Sequence, residues 1–467
     1  MQVLLTHGYF LYEDPKEQKI MKPYPPLGIL YLSAYLKQNR VKNEVFDTTF
    51  SSKKEFQEFL LEQRPPIIAI YTNLMTKINV IESINFIKSQ DSLKHARIIL
   101  GGPDVTHNIE NYLKEGADFI VFGEGEQTIL ELANNILLNN PFFDEIKGIA
   151  FMNPYNEVVK NPPRPKIRDI DTLPFPNREA IDMYKYFDVW KENHGQSAMT
   201  VSTQRGCPYT CKWCSTAVYG QSYRRRSAKL VADEMEYIKN TYNPDTVWFV
   251  DDVFTVSHKW LNSFRDEMRD RKIDLAFECI TRADRLKPEV ITALKEAGCF
   301  RVWIGAESGS QKIIDAMDRR VDVVHVKEMI IEAKRQGIQA GTFIMLGYPG
   351  ETEEDIETTI EYLKDAAPNY FTVTVAYPIK GTGLYEEVQD IRTTENDWSK
   401  STDRDIDFKR TYPKEYYPYA LKWVNNEVKY HLQKLENKHL SISGAKLKVK
   451  SLAAQANMWR IRRNETA

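Results

Sequence analysis

The first 206 residues contain no cysteine, the chain has no long hydrophobic run, and neither sign of charge prevails. Without paired, spread-out cysteines there is no disulfide framework to expect. The longest strongly apolar stretch, Leu27 to Leu36, is about half a membrane span, which predicts no transmembrane segment. Lys plus Arg number 63 against 65 Asp plus Glu, a net charge of −2. A chain so balanced carries no global signal for nucleic acid or a membrane surface. The opening Met1-Gln2-Val3-Leu4-Leu5 lacks a basic leader and reads as a strand, so a signal peptide is not expected and a cytoplasmic location is. What is present is 467 residues, 42% hydrophobic, enough for roughly three folding units with real cores.

Over residues 1–145 short apolar runs alternate with helical spacing: Gln2–His7, Glu44–Thr49, Ile67–Thr72, Arg97–Leu100 and Phe119–Phe122 as strands, with helices between. Five such units predict a parallel sheet covered on both faces, binding its ligands at the strand C-termini. Residues 146–195 are rich in proline and read as an extended linker. A second alternation fills 196–395, with strands at Thr200–Thr203, Thr246–Val250, Leu275–Ile280, Arg301–Ile304, Gly341–Leu346 and Phe371–Ala376. Six strands with long amphipathic crossover helices suit a partial (β/α)6 barrel, open on one side. Residues 396–467 form a C-terminal region, weakly helical over Tyr417–Leu435 and then basic, with no readable motif. The fold class is therefore α/β: a doubly wound parallel sheet, then a partial TIM-type barrel, then a mostly helical tail.

The cysteines, when they come, are clustered. Arg205-Gly206-Cys207-Pro208-Tyr209-Thr210-Cys211-Lys212-Trp213-Cys214 puts three thiols on one loop after a strand. Three thiolates can hold three irons of a cubane, leaving the fourth iron open. The competing reading is zinc, with His194 or His258 as a distant fourth ligand. Cys279 and Cys299 read as core thiols. The Arg224-Arg225-Arg226 run reads as a solvated face whose position permits an anion contact.

The triplet at the end of a first barrel strand resembles the radical S-adenosylmethionine (SAM) superfamily. That resemblance implies a [4Fe-4S] cluster on Cys207, Cys211 and Cys214, and SAM chelated at the open iron and cleaved to a 5′-deoxyadenosyl radical. It also implies SAM-binding roles along successive strand ends: Asp251 and Asp252 toward the methionine amino group, Arg282 toward its carboxylate, Glu307 and Ser308 near methionine or ribose, Gly347 at the fifth strand, Tyr377 near adenine, and Trp213 beside the cluster. On their residues alone these positions have plainer readings: Asp251-Asp252 as a helix cap, Arg282 as a surface ion pair, Glu307 as solvated.

The N-terminal region resembles the cobalamin-binding subgroup, on Pro25-Pro26-Leu27-Gly28, Tyr71-Thr72-Asn73, Gly101-Gly102-Pro103-Asp104 and Gly123-Glu124-Gly125-Glu126. This combination is similar to the anaerobic magnesium-protoporphyrin ester cyclases and related carbon methylases. It implies cobalamin at an edge built from Thr72, Gly101, Gly102, Gly123 and Glu124, whose turns leave room for a flat ring. The Asp-x-His-x-x-Gly signature is missing, so no histidine is expected on cobalt, His7 and His107 included. The implied function is cobalamin-dependent methyl transfer to an unactivated carbon. Radical oxidation, cyclisation or rearrangement is the alternative, and a cobalamin- or metal-binding non-enzyme the third reading. Implied partners are a small-molecule substrate (a lipid, a tetrapyrrole or a secondary metabolite) and an electron donor such as flavodoxin or ferredoxin.

Overall fold

A computed structural model describes residues 1–216, 218–394, 397–437 and 441–465. The chain forms two compact units, and neither is continuous in sequence. One comprises Met1–Pro208, Thr216–Trp248 and Asn396–Asp403; the other comprises Tyr209–Ser215, Phe249–Glu395 and Arg404–Ala467.

The first unit is built on β1 (Val3–His7), β2 (Asn43–Phe46), β3 (Ile67–Tyr71), β4 (Arg97–Gly101), β5 (Phe119–Val121), β6 (Ile149–Met152) and β7 (Val158–Lys160), in the order β2-β1-β3-β4-β5-β6-β7. β1 to β5 pair in parallel. Between them run α1 (Glu17–Ile20), α2 (Leu27–Gln38), α3 (Lys53–Gln63), α4 (Lys77–Ser89), α5 (Ile109–Lys114) and α6 (Glu126–Leu137). Phe56, Leu60, Ile84, Ile87 and Tyr112 of α3, α4 and α5 pack on one face of the sheet. Ile29, Leu30, Ile129 and Leu132 of α2 and α6 pack on the other. The sheet is thus doubly wound, and its strand order reverses beside β1 and β3, where such sheets bind ligands.

The expected linker is more structured than its prolines suggest. The proline-free stretches Ile149–Met152 and Val158–Lys160 add two antiparallel strands to the sheet. Met183–His194 forms α7, with Met183, Tyr186, Phe187 and Trp190 buried. Prolines 162, 163, 165, 174 and 176 confine irregular backbone to the interval between, because each removes an amide donor. Far later in the chain, residues 397–403 return to this unit. Trp398 donates from Nε1 to Asn108 (3.1 Å), meets the Tyr112 ring edge-on, and lies 4.1 Å under the Nζ of the buried Lys77.

The second alternation gives a six-stranded sheet in the order β15-β14-β13-β12-β11-β8. Its strands are β8 (Ala198–Val201), β11 (Thr246–Phe249), β12 (Ala276–Thr281), β13 (Cys299–Glu307), β14 (Gln339–Leu346) and β15 (Tyr370–Val375), while β9 (Gln204–Arg205) and β10 (Arg224–Arg225) pair antiparallel as a separate two-stranded sheet. β12 to β15 pair in parallel. The crossovers are α8 (Ala228–Thr241), α9 (His258–Asp270), α10 (Pro288–Glu296), α11 (Gln311–Ala316) with α12 (Val323–Arg335), and α13 (Glu353–Ala366), followed by α14 (Gly383–Glu387). The tail holds two long helices, α15 (Tyr417–Asn437) and α16 (Ile442–Glu465), where the sequence suggested one. α16 escaped notice because it is apolar on two opposite faces and so lacks a single stripe. Among the described residues no helix is long and apolar enough to cross a membrane.

Candidate functional site

The cysteine loop is entered through Gly206, whose φ is +82° and where a Cβ would stand 2.4 Å from Ser222 Oγ. Only glycine fits this backbone and this contact. In the second unit the loop is stitched down along its length. The Lys212 amide donates to Met317 O (3.1 Å), the Leu384 amide donates to Lys212 O (2.8 Å), and Thr210 Oγ1 donates to Asp318 (3.2 Å). Trp213 packs on the core of Ile313, Met317, Tyr348 and Leu384. None of the five thiols forms a disulfide, and Cys279 and Cys299 are buried as expected.

Two guanidinium groups converge on Cys211. Arg282 donates from Nη1 to its Sγ at 3.4 Å, and Arg319 from Nη1 at 3.7 Å. Arg282 is buried rather than a surface ion pair. It stacks 3.9 Å over the Tyr209 ring, and it donates to Asp284 (2.8 Å) and to Arg319 O (2.7 Å). Arg319 is held by Gly305 O (2.8 Å) and by Glu307 (3.5 Å). A Cβ at Gly305 would stand 2.3 Å from Arg319, so that glycine makes room for the guanidinium. Glu307 is buried, not solvated, and has φ +67° at a bulge in β13. Bulges of this kind re-aim a side chain beside a site. Burial pushes its carboxyl above the ordinary value, although Arg319 and Arg282 pull the other way.

The remaining strand ends divide. Asp251 is buried and Asp252 exposed, and neither caps α9, whose N-cap is Ser257. Ser308 faces α13, through Thr359 Oγ1 at 3.2 Å. Gly347, at φ +75°, lies under Tyr417 and Arg410. Arg410 also donates to Ala376 O (2.7 Å), one residue before the half-buried Tyr377. The tail therefore closes over the ends of β14 and β15.

Beneath that cover lies Glu351, which accepts from the Gly347 amide. Burial, with a contribution from Asp355, pushes its carboxyl up to about 8 against that hydrogen bond. Unfolding returns it to an ordinary value near 4.5, so over this interval the folded chain binds more protons than the unfolded one. Stability through Glu351 therefore falls as pH rises from about 4.5 to about 8. Glu351→Gln should lose this decline, so that wild type and variant diverge in unfolding free energy at about pH 8 relative to about pH 5. A constant difference between them at both pH values would contradict it.

In the first unit the C-terminal edge is open at Gly123, where no atom lies within 4 Å of a would-be Cβ. Gly28 and Gly101 have only ordinary contacts there, at 3.9 and 3.8 Å. Gly102 differs: at φ +115° its Cβ would stand 2.3 Å from Thr72 O. On its Cβ side this glycine is packed against the Thr72 backbone. Thr72 itself is buried, its amide bonded to Gly101 O at 2.7 Å. Gly102→Leu should therefore destabilise the unit by roughly 1–3 kcal/mol or more, lowering its denaturation midpoint and its retention of any corrinoid while the iron content stays intact. An unchanged midpoint would refute this packing role.

Glu124 is engaged within the protein. It accepts from Arg205 (3.0 Å), Arg224 (2.7 Å) and the Ile167 amide (2.6 Å), and Glu126 takes the other arm of Arg205. Burial opposes ionisation of Glu124, but these donors hold its carboxyl below the ordinary range. The arginine run is accordingly not a solvated face: Arg224 belongs to Glu124, and Arg226 pairs with the fully buried Glu234. His7 is buried too, bonded to Asp47 (2.9 Å) and the Tyr9 amide (3.1 Å), and so is satisfied without a metal.

The donor set fits a cluster: three thiols outside any disulfide on one loop, with two cations at the middle one to offset thiolate charge. Among the described residues no three His, Cys, Asp or Glu side chains gather at one point, so the loop supplies the ligands without presenting them already assembled. The open glycine edge at Gly123, at the C-termini of a doubly wound sheet, fits a large flat cofactor. Sequence reading missed Arg319 and Arg205. Arg319 lies in Met317-Asp318-Arg319-Arg320, which looks like a charged surface turn. Its one signal is the glycine at 305 that accommodates it.

Residues 201–363 match the model of the radical SAM superfamily, and residues 18–133 that of the B12 binding domain. An uncharacterized methyltransferase of Pyrococcus horikoshii is 29% identical over 373 residues, 78% of each chain. The anaerobic magnesium-protoporphyrin IX monomethyl ester cyclase of Rubrivivax gelatinosus is 26% identical over 406 residues, 84% of this chain and 70% of the cyclase. Among solved structures, the cobalamin-dependent SAM radical enzyme OxsB shares the fold at a TM-score of 0.75 and 16% identity, over 98% of this chain and 72% of its own. The radical SAM methyltransferase TsrM from Kitasatospora setae does so at 0.70 and 18%, over 85% and 79%.

Proposed function

Taking as premise that this chain joins a radical SAM domain to a B12-binding domain and is homologous to the magnesium-protoporphyrin cyclases and class B methylases, we propose that it transfers a methyl group to an unactivated carbon of a small molecule. The observation that carries this reading is the pairing, in one chain, of the Cys211 loop under two arginines with an open glycine edge on a doubly wound sheet. When bound, the cluster and SAM supply a hydrogen-abstracting radical and the cobalamin supplies the methyl group.

The protein's own part is positioning. Cys207, Cys211 and Cys214 would hold the cluster. Arg282 and Arg319 hold Cys211 between them, and the bulge at Glu307 turns a buried carboxylate toward Arg319. Gly123 keeps the corrinoid edge clear, and His7 is engaged by Asp47 and the Tyr9 amide rather than offered to cobalt. Tyr417 and Arg410 cover the ends of β14 and β15 and exclude water there. The reaction takes place in the cytoplasm and draws single electrons from an external donor of the flavodoxin or ferredoxin kind. The substrate is a lipid, a tetrapyrrole or a secondary metabolite.

The test needs no substrate. Anaerobically reconstituted protein is reduced in the presence of SAM deuterated at its methyl group. Labelled methionine and 5′-deoxyadenosine are expected from one SAM, and S-adenosylhomocysteine with the deuterated methyl group on the corrinoid from a second. Cleavage without transfer of label to the corrinoid would favour oxidation or cyclisation, the reading that kinship with the cyclases also supports. No cleavage at all would remove both.

A further inference from the structure

α16 covers α15 with one of its faces, on which Ser451, Ala454 and Met458 are buried. Its opposite face is apolar as well. Ile442, Val449, Leu452 and Trp459 are 80, 65, 53 and 52% exposed. Together with Ala445 and Ala456 they recur at steps of three and four residues, which lines them up along one side of a helix about 36 Å long. Protein surfaces seldom leave such a continuous stripe uncovered unless something docks on it.

Charge narrows what docks. α16 carries six cations, and its one acid is the terminal Glu465. Lys448 and Arg462 are used internally, on Glu427 and Glu353. Lys446, Lys450 and Arg460 are exposed and have no ion-pair partner among the described residues. They border the stripe, so a second copy of the helix laid against it would face like charge with like charge. On a chain of net −2 this is a strong local excess of positive charge, invisible in the total. Trp459 sits at the edge of the stripe, and its ring suits the level of lipid headgroups.

We propose that this face of α16 seats the protein on the surface of an anionic phospholipid bilayer. The stripe enters the boundary between headgroups and acyl chains, and the three cations meet lipid phosphates, as in other basic amphipathic helices that lie in the interface. The inference is independent of the proposed reaction.

Flotation of the full-length protein with vesicles tests it. Vesicles of phosphatidylcholine with one quarter phosphatidylglycerol should bind it at least about tenfold more tightly than phosphatidylcholine alone, and raised salt should release it. Each cation near such a surface strengthens binding about fivefold, so the triple variant Lys446→Glu, Lys450→Glu, Arg460→Glu should weaken it by more than about a hundredfold. All three side chains are exposed, so this variant tests the surface without touching a core. Val449→Asp with Leu452→Asp should also abolish binding, as the apolar half of the contact. Wild-type protein that ignores anionic vesicles would overturn the proposal, as would a triple variant that binds undiminished. So would stripe-dependent self-association in light scattering without vesicle binding, which would assign the face to a second copy.

Discussion

Cys211→Ala is expected to purify anaerobically with its fold intact but without iron or sulfide, where wild type carries about four of each. Loss of the brown absorbance and of all reductive SAM cleavage should accompany it. The reason lies in where Cys211 sits. It is the middle cysteine of the loop, and it receives Nη1 of both Arg282 and Arg319. Those guanidinium groups are nearly buried, with side-chain exposures of 4% and 8%. A methyl group in place of the thiolate leaves both facing an apolar atom, and it leaves two cysteines to hold a cubane that needs three. Cys279→Ala is the matched control, because that thiol is buried on β12 with Cys299 as its neighbour, and should leave the iron content unchanged. Stoichiometric zinc in the wild type, or full iron in Cys211→Ala, would show that the ligand set has been misread.

The largest effect on stability is expected at Arg205. Its guanidinium bridges Glu124 and Glu126, with Arg224 as the second cation on Glu124, and Arg205, Glu124 and Glu126 are about 95% buried. Tyr31 and Tyr219 flank it at 5.9 and 5.3 Å, so water has little access. Removing one member of a buried ion cluster strands the others, at a cost of about 3–5 kcal/mol. Arg205→Ala should therefore lower the chemical-denaturation midpoint of the first unit severely. Adding Glu126→Gln to that variant should recover part of the loss, since the stranded charge goes with it. Because Gly206 and Cys207 follow directly in the chain, iron occupancy should fall in parallel. A denaturation midpoint within experimental error of wild type would mean that this network contributes little.

Most of the fold was legible because β1 to β5 and β12 to β15 pair in parallel. Strands buried on both faces appear as short apolar runs, and their crossovers as amphipathic helices, so the two periods separate cleanly. Legibility failed in two kinds of place. In residues 146–195 the prolines dominated the composition, although they occupy only the gaps between β6, β7 and α7. In α16 a second apolar face erased the contrast on which helical periodicity depends. At the site, the three cysteines were readable because their spacing is itself the chemistry. Arg319 and Arg205 were not, because their roles are set by contacts across 108 and about 80 residues of chain, to Cys211 and to the turn at Glu124 and Glu126. A sequence shows that an arginine exists, but its partner is decided by the fold. The run Arg224-Arg225-Arg226 shows the reverse error: clustered charge suggested solvent, and burial had paired it instead.

The discontinuity of the first unit bears on how the chain is made. Trp398 belongs to that unit, packing on Lys77, Asn108 and Tyr112, yet it follows Pro208 by about 190 residues. At ribosomal speeds of about 5–20 residues per second, some 10–40 seconds separate the two. Throughout that interval the nascent N-terminal sheet stands without its last piece, and the ammonium of Lys77 lacks the ring that covers it. Synthesis therefore imposes an order of assembly: an early, incomplete sheet, then the remaining strands, and only then closure by a segment that emerges about 190 residues later. A chaperone acting on this protein would meet the incomplete sheet first, and stop codons placed before residue 397 should yield chains with a defect in the N-terminal sheet as well as loss of the tail's cover over β14 and β15.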